Sequence, residues 1–257
     1  MAARNERLKL EIELIEKYHF MKIKQLAQEL NTSEMSIRRD LSKLEKMNMV
    51  KLVYGGVIPS KLLNANNTKY SFETEQNKNT DQKKRIVKRA IEFLEPNDIV
   101  FLDSGTTIQM LAEQIPKDIP FTFITASYNT LERIIDLPES TVIACGGVFS
   151  KRSLVFYEPE SSNFIRKYRA SKSFIGATGY ELELGLTCGF LEDVPIKQAM
   201  IQSSKYRILL MDSTKFGKVS TCVFAKITDF STVITDDGIN PEYAEHIRSN
   251  NVNLIIV

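Results

Sequence analysis

Two features of the sequence, a polar turn and a lysine, are suited to holding an anion. The first is Asp103-Ser104-Gly105-Thr106-Thr107, a small, hydroxyl-rich turn between a β-prone run and a helical run. Amides and hydroxyls at the start of a helix favour an anion such as phosphate, and Gly105 permits close approach of the backbone. The second is Lys215, which follows another β-prone run and could bring a counter-charge to the same place. An ordinary capped turn and an ordinary surface lysine are the alternative interpretations.

Further polar segments, Thr125–Asn129 and Gly176–Gly179, follow other strand-like runs. In open parallel sheets, ligands bind beyond the carboxyl ends of the strands, so residues at these ends are candidates for one shared pocket. Lys197, on the helix after the Glu192-Asp193 turn, is a second candidate cation. The predicted ligand-binding residues are Asp103, Ser104, Gly105, Thr106, Thr107, Ser127, Gly176, Lys197 and Lys215.

The third predicted helix carries residues suited to a different chemistry, contact with DNA. When Ile37 and Leu41 face the core, at about 100° per residue, the basic side chains fall on the opposite side of the helix. Arginine can fork onto guanine, lysine can meet phosphate and serine can contact either. The residues on or beside this face are Ser33, Met35, Ser36, Arg38, Arg39, Ser42, Lys43 and Lys46. Taken singly, each basic residue is more often only solvated, so the prediction depends on the surrounding elements.

Those elements are three short helices and a hairpin. Apolar residues recur at helical spacing in three successive stretches of the N-terminal region. Thr32 or Ser33 is a natural N-cap for the third helix. Two β-prone runs then flank Gly55-Gly56, which predicts a hairpin. Three helices with a tight polar turn before the third, followed by a hairpin, indicate a winged helix-turn-helix over residues 1–59.

The remainder of the chain follows a different pattern. Residues 60–82 are rich in Asn, Thr and Lys, and we predict a linker that runs into a helix. From residue 96, strand-like runs alternate with helical ones, which predicts a mainly parallel open α/β sheet domain over residues 83–257. The fold class is therefore α/β, preceded by the winged helix-turn-helix. The predicted strands are Ile99–Asp103, Phe121–Thr125, Thr141–Cys145, Lys172–Ala177, Arg207–Asp212, Thr232–Thr235 and Asn253–Val257.

Composition narrows the class of protein. Of the 257 residues, 43% are hydrophobic, which allows a sizeable core. No apolar run approaches the ~18–20 residues needed to span a bilayer, and the charged N-terminus lacks the apolar centre of a secretory signal. We therefore expect a cytoplasmic protein with no membrane partner. The three cysteines and two histidines are scattered, which argues against a disulfide framework, a metal site or histidine catalysis, and no cofactor is expected.

Charge is unevenly distributed along the chain. Residues 1–61 hold 12 Lys and Arg against 8 Asp and Glu, whereas residues 62–257 hold 22 against 24. The basic excess therefore lies in the first quarter of the chain. Such an asymmetry suits an N-terminal module that meets a polyanion, although many solvated helices are also basic.

Two stretches resemble the DNA-binding signature of DeoR-family transcription regulators. They are Ser33-Glu34-Met35-Ser36-Ile37-Arg38-Arg39-Asp40-Leu41 and Tyr54-Gly55-Gly56-Val57. The resemblance implies DNA contact for Ser36, Arg38 and Arg39. The family usually has Thr in place of Ser36 and His in place of Tyr54, and both changes keep polar character, so Tyr54 joins the candidate DNA contacts. Asp40 is expected to orient an arginine or to cap the helix.

The resemblance extends over the C-terminal domain, which is similar to ribose-5-phosphate isomerase and related sugar-phosphate isomerases. The matching segments are Phe101–Thr107, Cys145–Gly147, Phe174–Ala177 and Asp212–Gly217. The resemblance implies a phosphorylated sugar or a related intermediate as effector, double-stranded operator DNA as partner, and repression rather than activation. Regulators of this kind pair on repeated half-sites, so a homodimer or homotetramer is expected.

Two positions depart from the family pattern in the ligand-facing region. Thr125-Ala126-Ser127 stands where the family usually has Thr-Asn-Ser, so one amide expected to face the ligand is missing. Cys188-Gly189-Phe190 replaces a commoner polar or proline-containing run. The part of the pocket that recognises the sugar is therefore expected to be unusual.

An active sugar-phosphate isomerase with an added DNA module is the main alternative. Isomerisation needs a base positioned next to a carbonyl, and the related isomerases carry an Asp-Gly-Ala-Asp-Glu run after the matching strand. This chain has Gly176-Ala177-Thr178-Gly179-Tyr180 there, so binding without turnover is predicted. Glu181, Glu183 and Glu192 lie nearby in sequence and keep the alternative open. A protein-interaction scaffold is a third hypothesis, but it leaves the basic third helix unexplained.

Overall fold

The N-terminal unit is a winged helix-turn-helix in the computed structural model, which describes residues 2–18, 20–53, 56–60, 72–158 and 160–257. Its elements are α1 (Ala2–Tyr18), β1 (Met21–Lys22), α2 (Ile23–Glu29), α3 (Glu34–Lys46), β2 (Val50–Val53) and β3 (Gly56–Pro59). Apolar side chains from all of these elements meet in one core, which includes Leu26, Ile37 and Leu41. Helix α3 therefore buries one stripe and leaves its opposite face to solvent.

The wing is held by a short strand that the sequence did not predict. β1 pairs antiparallel with β3, which pairs with β2, so the small sheet has the order β1-β3-β2. Gly56 begins β3, and a Cβ atom at this position would lie 2.3 Å from the main-chain oxygen of Met21. The close pairing of β1 with β3 therefore requires glycine at position 56.

The C-terminal domain is built around seven strands, and they correspond to the seven predicted from the sequence. Two helices precede them, α4 (Phe72–Gln76) and α5 (Thr80–Ile91). The strands are β4 (Ile99–Leu102), β5 (Thr122–Thr125), β6 (Thr141–Ala144), β9 (Ala170–Gly176), β12 (Ser204–Leu210), β14 (Thr232–Thr235) and β15 (Asn253–Ile256). The connecting helices are α6 (Thr106–Glu113), α7 (Tyr128–Ile134), α8 (Ser161–Arg166), α9 (Asp193–Gln202) and α10 (Pro241–Ser249).

Short antiparallel strands extend from the connections. β7 (Val148–Ser150) pairs with β8 (Val155–Tyr157), and β10 (Gly179–Glu181), β11 (Gly185–Cys188) and β13 (Cys222–Ala225) form a small sheet. Two 3-10 turns, Ser213–Lys215 and Ile227–Asp229, complete the domain. In the part of the chain that the structure describes, no helix is long and apolar enough to cross a membrane.

Strand order gives the main sheet a switch point. The order is β15-β14-β12-β9-β4-β5-β6, and every neighbouring pair is parallel. From β4 the chain moves outward through β5 to β6, whereas from β9 it moves outward the other way through β12 to β15. The direction reverses between β4 and β9. The crevice at the carboxyl ends of such a pair is where open α/β sheets bind ligands.

Helices cover both faces of the sheet, as its strongly apolar strands require. Phe101 of β4 packs into the core formed with α8, α9 and α10, whereas Val100 and Leu102 pack against α5, α6 and α7. All three side chains are fully buried. The sheet is therefore a packed platform, and the loops at its carboxyl edge project from fixed positions.

A small apolar cluster joins the winged helix-turn-helix to the C-terminal domain. Phe20 and Ile58 from the winged unit pack with Leu184 and Val219 in one buried cluster. Leu184 lies between β10 and β11, and Val219 lies on the loop that follows the 3-10 turn Ser213–Lys215. The wing therefore contacts the loop at the carboxyl end of β12 directly.

Candidate functional site

A pocket lies at the switch point between β4 and β9. Its wall combines the turn after β4, the end of β9, the start of α9 and the segment after β12. Seven of the predicted ligand-binding residues line it, namely Ser104, Gly105, Thr106, Thr107, Gly176, Lys197 and Lys215. The other two, Asp103 and Ser127, line a smaller adjoining cavity that shares Ser104 with the pocket.

The turn after β4 ends in the N-terminus of α6, which faces the pocket. Gly105 precedes the helix with a φ of +111°, a conformation that favours glycine. No described side chain caps this helix. The first amides of a helix have no partner within it, so those of α6 can donate to an anion together with the hydroxyls of Thr106 and Thr107.

A buried ion pair supports the floor of the pocket. The Lys197 ammonium donates to Asp103 Oδ2 and, at 3.0 Å, to the main-chain oxygen of Gly176. Asp103 Oδ2 also accepts from the Gly176 amide at 2.9 Å. The side chains of Lys197 and Asp103 are only 4% and 3% exposed. The predicted role of both residues in holding a ligand stays a prediction, and in this structure they pair with each other and tie the end of β4 to the end of β9.

Lys215, the predicted counter-charge, also has a partner. Its ammonium lies 2.5 Å from Glu75 Oε2, and Glu75 Oε1 accepts from Lys78 at 2.7 Å. Burial raises the pKa of Glu75, but the hydrogen bonds from Lys215 and Lys78 outweigh burial and lower the pKa to about 2. A carboxylate from α4 therefore faces Lys215 at neutral pH.

The segment around α4 and α5 contributes further contacts that the sequence did not reveal. Lys83 lines the pocket and is 2% exposed, and its ammonium donates to the main-chain oxygen of Glu75 at 2.5 Å. Asn79 donates from Nδ2 to Asp212 Oδ1 and to Thr214 Oγ1, both at 3.0 Å. The contacts of Asn79 join residues that are far apart in the chain, so no local pattern could have identified them.

Asp193 lines both the pocket and the adjoining cavity, although it was not among the predicted ligand-binding residues. It is 7% exposed, and Oδ1 has no hydrogen-bond partner among the described residues. Burial raises the pKa of Asp193 to about 7, and of its charged neighbours Lys197 lowers it while Asp103 and Glu192 raise it. A buried polar group without a partner calls for an explanation, and a ligand hydroxyl is one that the position fits.

Two other polar residues have structural roles. Ser127 is the N-cap of α7, where its hydroxyl accepts from the amide of Thr130. Glu181, one of the acids considered for the isomerase alternative, accepts from the amides of Glu183 and Leu184 at 2.9 and 3.0 Å. It closes the turn between β10 and β11. Glu181 is not among the described residues that line the pocket.

The basic face of α3 is open to solvent. The exposed side chains are Ser33, Met35, Arg38, Arg39, Ser42, Lys43 and Lys46, and Ser36 is half-buried beside them. Ser33 is the N-cap, and its hydroxyl accepts from the Ser36 amide at 3.3 Å. Tyr54, the remaining candidate DNA contact, lies outside the described residues. The first turn of α3 is thereby fixed, and the recognition helix of a helix-turn-helix contacts bases with such N-terminal residues.

Asp40 does orient an arginine, but the arginine is on another helix. Asp40 is fully buried, and its Oδ2 accepts from Nε of Arg7 at 3.0 Å and from Nη2 of the same side chain. Arg7 belongs to α1. The ion pair therefore fixes α3 against α1 instead of positioning Arg38 or Arg39.

The described residues of the site carry neither a cluster of metal ligands nor a reactive thiol. Within the described ranges, no group of His, Cys, Asp and Glu side chains is arranged to hold a metal ion. Cys188 lines the pocket, and burial raises its pKa to about 12, as it does for Cys145. Both are therefore thiols at neutral pH.

Two family models match the chain. The DeoR-like helix-turn-helix domain matches residues 7–61, and the DeoR C terminal sensor domain matches residues 78–237. The first match includes α3. The second includes six of the seven strands of the parallel sheet and all the predicted ligand-binding residues.

Relatives align with the chain over most of its length. It is 33% identical over 233 residues to the uncharacterized HTH-type transcriptional regulator FruR of Bacillus subtilis, with 91% of each chain covered. It is 27% identical over 252 residues to the deoxyribose operon repressor of Escherichia coli, with 98% of each covered. It is also 27% identical over 230 residues to the HTH-type transcriptional regulator IolR of Bacillus subtilis, with 90% of each covered.

Solved structures match at lower identity. Ribose 5-phosphate isomerase A from Methanocaldococcus jannaschii is 15% identical, with a TM-score of 0.42 over 55% of this chain and 56% of that one. A probable sor operon regulator from Shigella flexneri is 11% identical, with a TM-score of 0.45 over 66% and 89%. The two family models and the full-length relatives show that the chain belongs to the DeoR family of DNA-binding transcription regulators.

Proposed function

We propose that this regulator binds a phosphorylated sugar, or a related phosphorylated intermediate, in the pocket at the switch point. The observation that carries the proposal is the convergence of the α6 N-terminus and Lys215 on one pocket. A phosphate there meets backbone amides, the hydroxyls of Thr106 and Thr107, and an ammonium group. Binding changes the affinity of the winged helix-turn-helix for operator DNA, since a ligand that prefers one arrangement of the protein shifts the balance between arrangements.

The wider role follows from the family and from the half-site argument. We propose a cytoplasmic repressor of a sugar operon, in keeping with its similarity to the deoxyribose operon repressor. A single winged helix covers a short half-site, so the working form is a homodimer or homotetramer on repeated half-sites. We infer that the ligand is bound without turnover, because the segment after β9 lacks the acids of the related isomerases and Glu181 is held in the β10–β11 turn. The Asp193 carboxyl, which does line the pocket, is assigned below to recognition of the ligand.

Lys215→Ala is expected to weaken the binding of effector in a protein that stays folded. The substitution removes a charge-assisted contact worth roughly 1.5–3 kcal/mol, so effector affinity falls about tenfold or more. The measurement is operator binding titrated with a panel of phosphorylated sugars. Recovery of the sugar phosphate unchanged after the titration checks the absence of turnover.

Lys205→Ala is the matched control for this experiment. Lys205 is exposed at the amino end of β12, whereas Lys215 follows the carboxyl end of the same strand. The control should respond to effector like the wild type. A folded Lys215→Ala protein that also responds at wild-type concentrations would contradict the assignment of the phosphate position.

Asp193 is proposed to recognise a hydroxyl group of the ligand. Its Oδ1 has no hydrogen-bond partner among the described residues, and the carboxyl faces the space between the pocket and the adjoining cavity. Ala126 lines that cavity at the position where the family usually has Asn. The methyl group of Ala126 cannot hydrogen bond, so a ligand hydroxyl would supply the partner that Asp193 lacks.

Effector affinity is expected to fall as the pH rises above 7. The pKa of Asp193 is about 7, and a bound phosphate raises it further. The protonated carboxyl then donates to the oxygen of the ligand hydroxyl, so binding takes up a proton. Affinity then falls by up to about tenfold per pH unit above 7. The measurement is calorimetric titration of a sugar phosphate at several pH values.

Asp193→Asn removes this pH dependence and controls for the ligand. A phosphate monoester has its own pKa near ~6, so its dianion forms as the pH rises and affects affinity in the opposite sense. That contribution remains in Asp193→Asn. An identical fall in affinity above pH 7 in both proteins would exclude Asp193 as its cause.

A further inference from the structure

The anion that faces Lys215 in this structure is a carboxylate of the chain itself. Glu75 Oε2 lies 2.5 Å from the Lys215 ammonium, and the proposed phosphate position uses the same ammonium. Glu75 also lines the pocket. A ligand phosphate and the Glu75 carboxylate are both anionic acceptors, so close contact of both with Lys215 brings two negative charges together.

Helix α4 lies against α6 and is held at the pocket by polar contacts of Glu75, without a fully buried side chain of its own. None of the described side chains of α4, Phe72–Gln76, is buried. Among its polar contacts are the ion pair of Glu75 with Lys215 and the bond from Lys83 to the main-chain oxygen of Glu75. An element with few buried apolar contacts is one that can leave its position at low cost.

We propose that Glu75 belongs to the effector site: its carboxylate binds Lys215 in the unliganded protein, and the phosphate group of a monoester displaces it and releases α4. This inference rests on the proposed function, since it takes the phosphate position from there. It adds a way in which ligand binding in that pocket can affect the winged helix-turn-helix. Glu75 acts as a tethered competitor, and the ligand binds by replacing it.

Displacement of Glu75 reaches the winged helix-turn-helix by two connections. Helix α4 is the first described element after the wing, so its release removes the nearest described attachment that follows the wing in the chain. Val219 lies on the same loop as Lys215 and packs against Phe20 and Ile58 of the winged unit. Both connections start from the residues that exchange partners when phosphate binds. The difference between the two states is the differential interaction that a controlling ligand needs.

The first test compares phosphate affinity in Glu75→Gln and the wild type. A competitor that is bound for nine-tenths of the time reduces apparent ligand affinity roughly tenfold, so its removal should raise affinity by about that factor. The probe is inorganic phosphate, and the measurement is isothermal titration calorimetry on the full-length chain. Glu73→Gln is the matched control, because Glu73 is an exposed acid on the same helix, and its phosphate affinity should equal that of the wild type.

The second test reports the position of α4. The chain contains no tryptophan, so Phe72→Trp places a single tryptophan at the start of this helix, where its emission can be excited selectively. Phosphate should change its emission in the otherwise wild-type protein, with a midpoint at the calorimetric affinity. The same reporter combined with Glu75→Gln should already show the emission of the liganded state and should respond little to phosphate.

The outcomes separate this inference from the proposed function. Equal phosphate affinity in Glu75→Gln and the wild type, with an unresponsive tryptophan, would overturn the role of Glu75 and leave the phosphate pocket in place. Loss of phosphate binding in Glu75→Gln would also overturn it, because Glu75 would then support the site. Absence of phosphate binding in every variant would contradict the proposed function itself.

Discussion

Replacing Lys197 with Met is expected to lower the free energy of unfolding by about 3–5 kcal/mol. In the wild type, Asp103 Oδ2 accepts from both the Lys197 ammonium and the Gly176 amide. The substitution removes the ammonium, so the buried carboxylate keeps only the Gly176 amide as its partner. Removing one member of a buried ion pair is costly because the remaining charge has lost both water and its partner. Domains are stable by only ~5–15 kcal/mol, so the effect is a large part of the total. Urea unfolding followed by circular dichroism measures it.

The Lys197→Met/Asp103→Asn double variant identifies the source of the loss. Asparagine can still accept from the Gly176 amide through its side-chain oxygen, and no charge then stays buried without a partner. The double variant should therefore recover most of the stability that Lys197→Met loses. If the single variant costs less than about 1 kcal/mol, the ion pair does not hold β4 and β9 together as described.

The parallel sheet could be predicted from the sequence because its strands are locally distinctive. The central strands are short apolar runs buried on both faces, and several precede a polar turn, as Ile99–Leu102 does. The small strands were missed for the opposite reason. Residues Met21–Lys22 and Gly179–Glu181 carry no such pattern, and they are strands because of what they pair with. Antiparallel pairing of two- and three-residue segments is set by tertiary contacts.

The residues of the candidate site also fall into two groups, those that the sequence could bring together and those that only the folded chain brings together. Residues that follow strand ends, such as Ser104 and Gly176, could be grouped from the sequence because parallel strands bring their carboxyl ends to one edge. Glu75 and Lys83 could not, since they lie in and beside the segment predicted as a linker and meet the pocket only in the folded chain. Lys197 lines the pocket, and its role toward a ligand stays a prediction; its pairing with Asp103 depends on the depth of α9 in the core.

The structure also changes what the α3 residues are expected to do. Asp40 was expected to orient an arginine, and its partner proves to be Arg7 of α1, so the basic face of α3 is left without that acid. Arg38 and Arg39 are exposed and available to DNA. Ser33 and Ser36 bond to each other at the start of the helix. A contact from either serine to DNA phosphate would therefore use a hydroxyl that already takes part in a hydrogen bond at the start of the helix.

Arg39→Ala is expected to weaken binding to the operator by about 1–3 kcal/mol and to relax specificity at one base position. Arg39 lies on the face of α3 opposite Ile37 and Leu41, which are buried in the core of the winged unit. An arginine so placed can fork onto the major-groove edge of guanine, and its loss penalises the correct sequence more than an incorrect one. The measurement is binding to an operator selected from a random DNA pool by the wild-type protein, compared with scrambled DNA.

Lys43→Ala provides the contrast, because a lysine that meets only phosphate carries no sequence information. It should weaken operator and scrambled DNA alike and reduce the slope of log affinity against log salt by about 1. Arg166→Ala, an exposed arginine on α8 of the C-terminal domain, should leave both affinity and salt slope unchanged. If Arg38→Ala and Arg39→Ala both bind operator like the wild type, α3 does not read the bases, and the wing would have to supply the specificity.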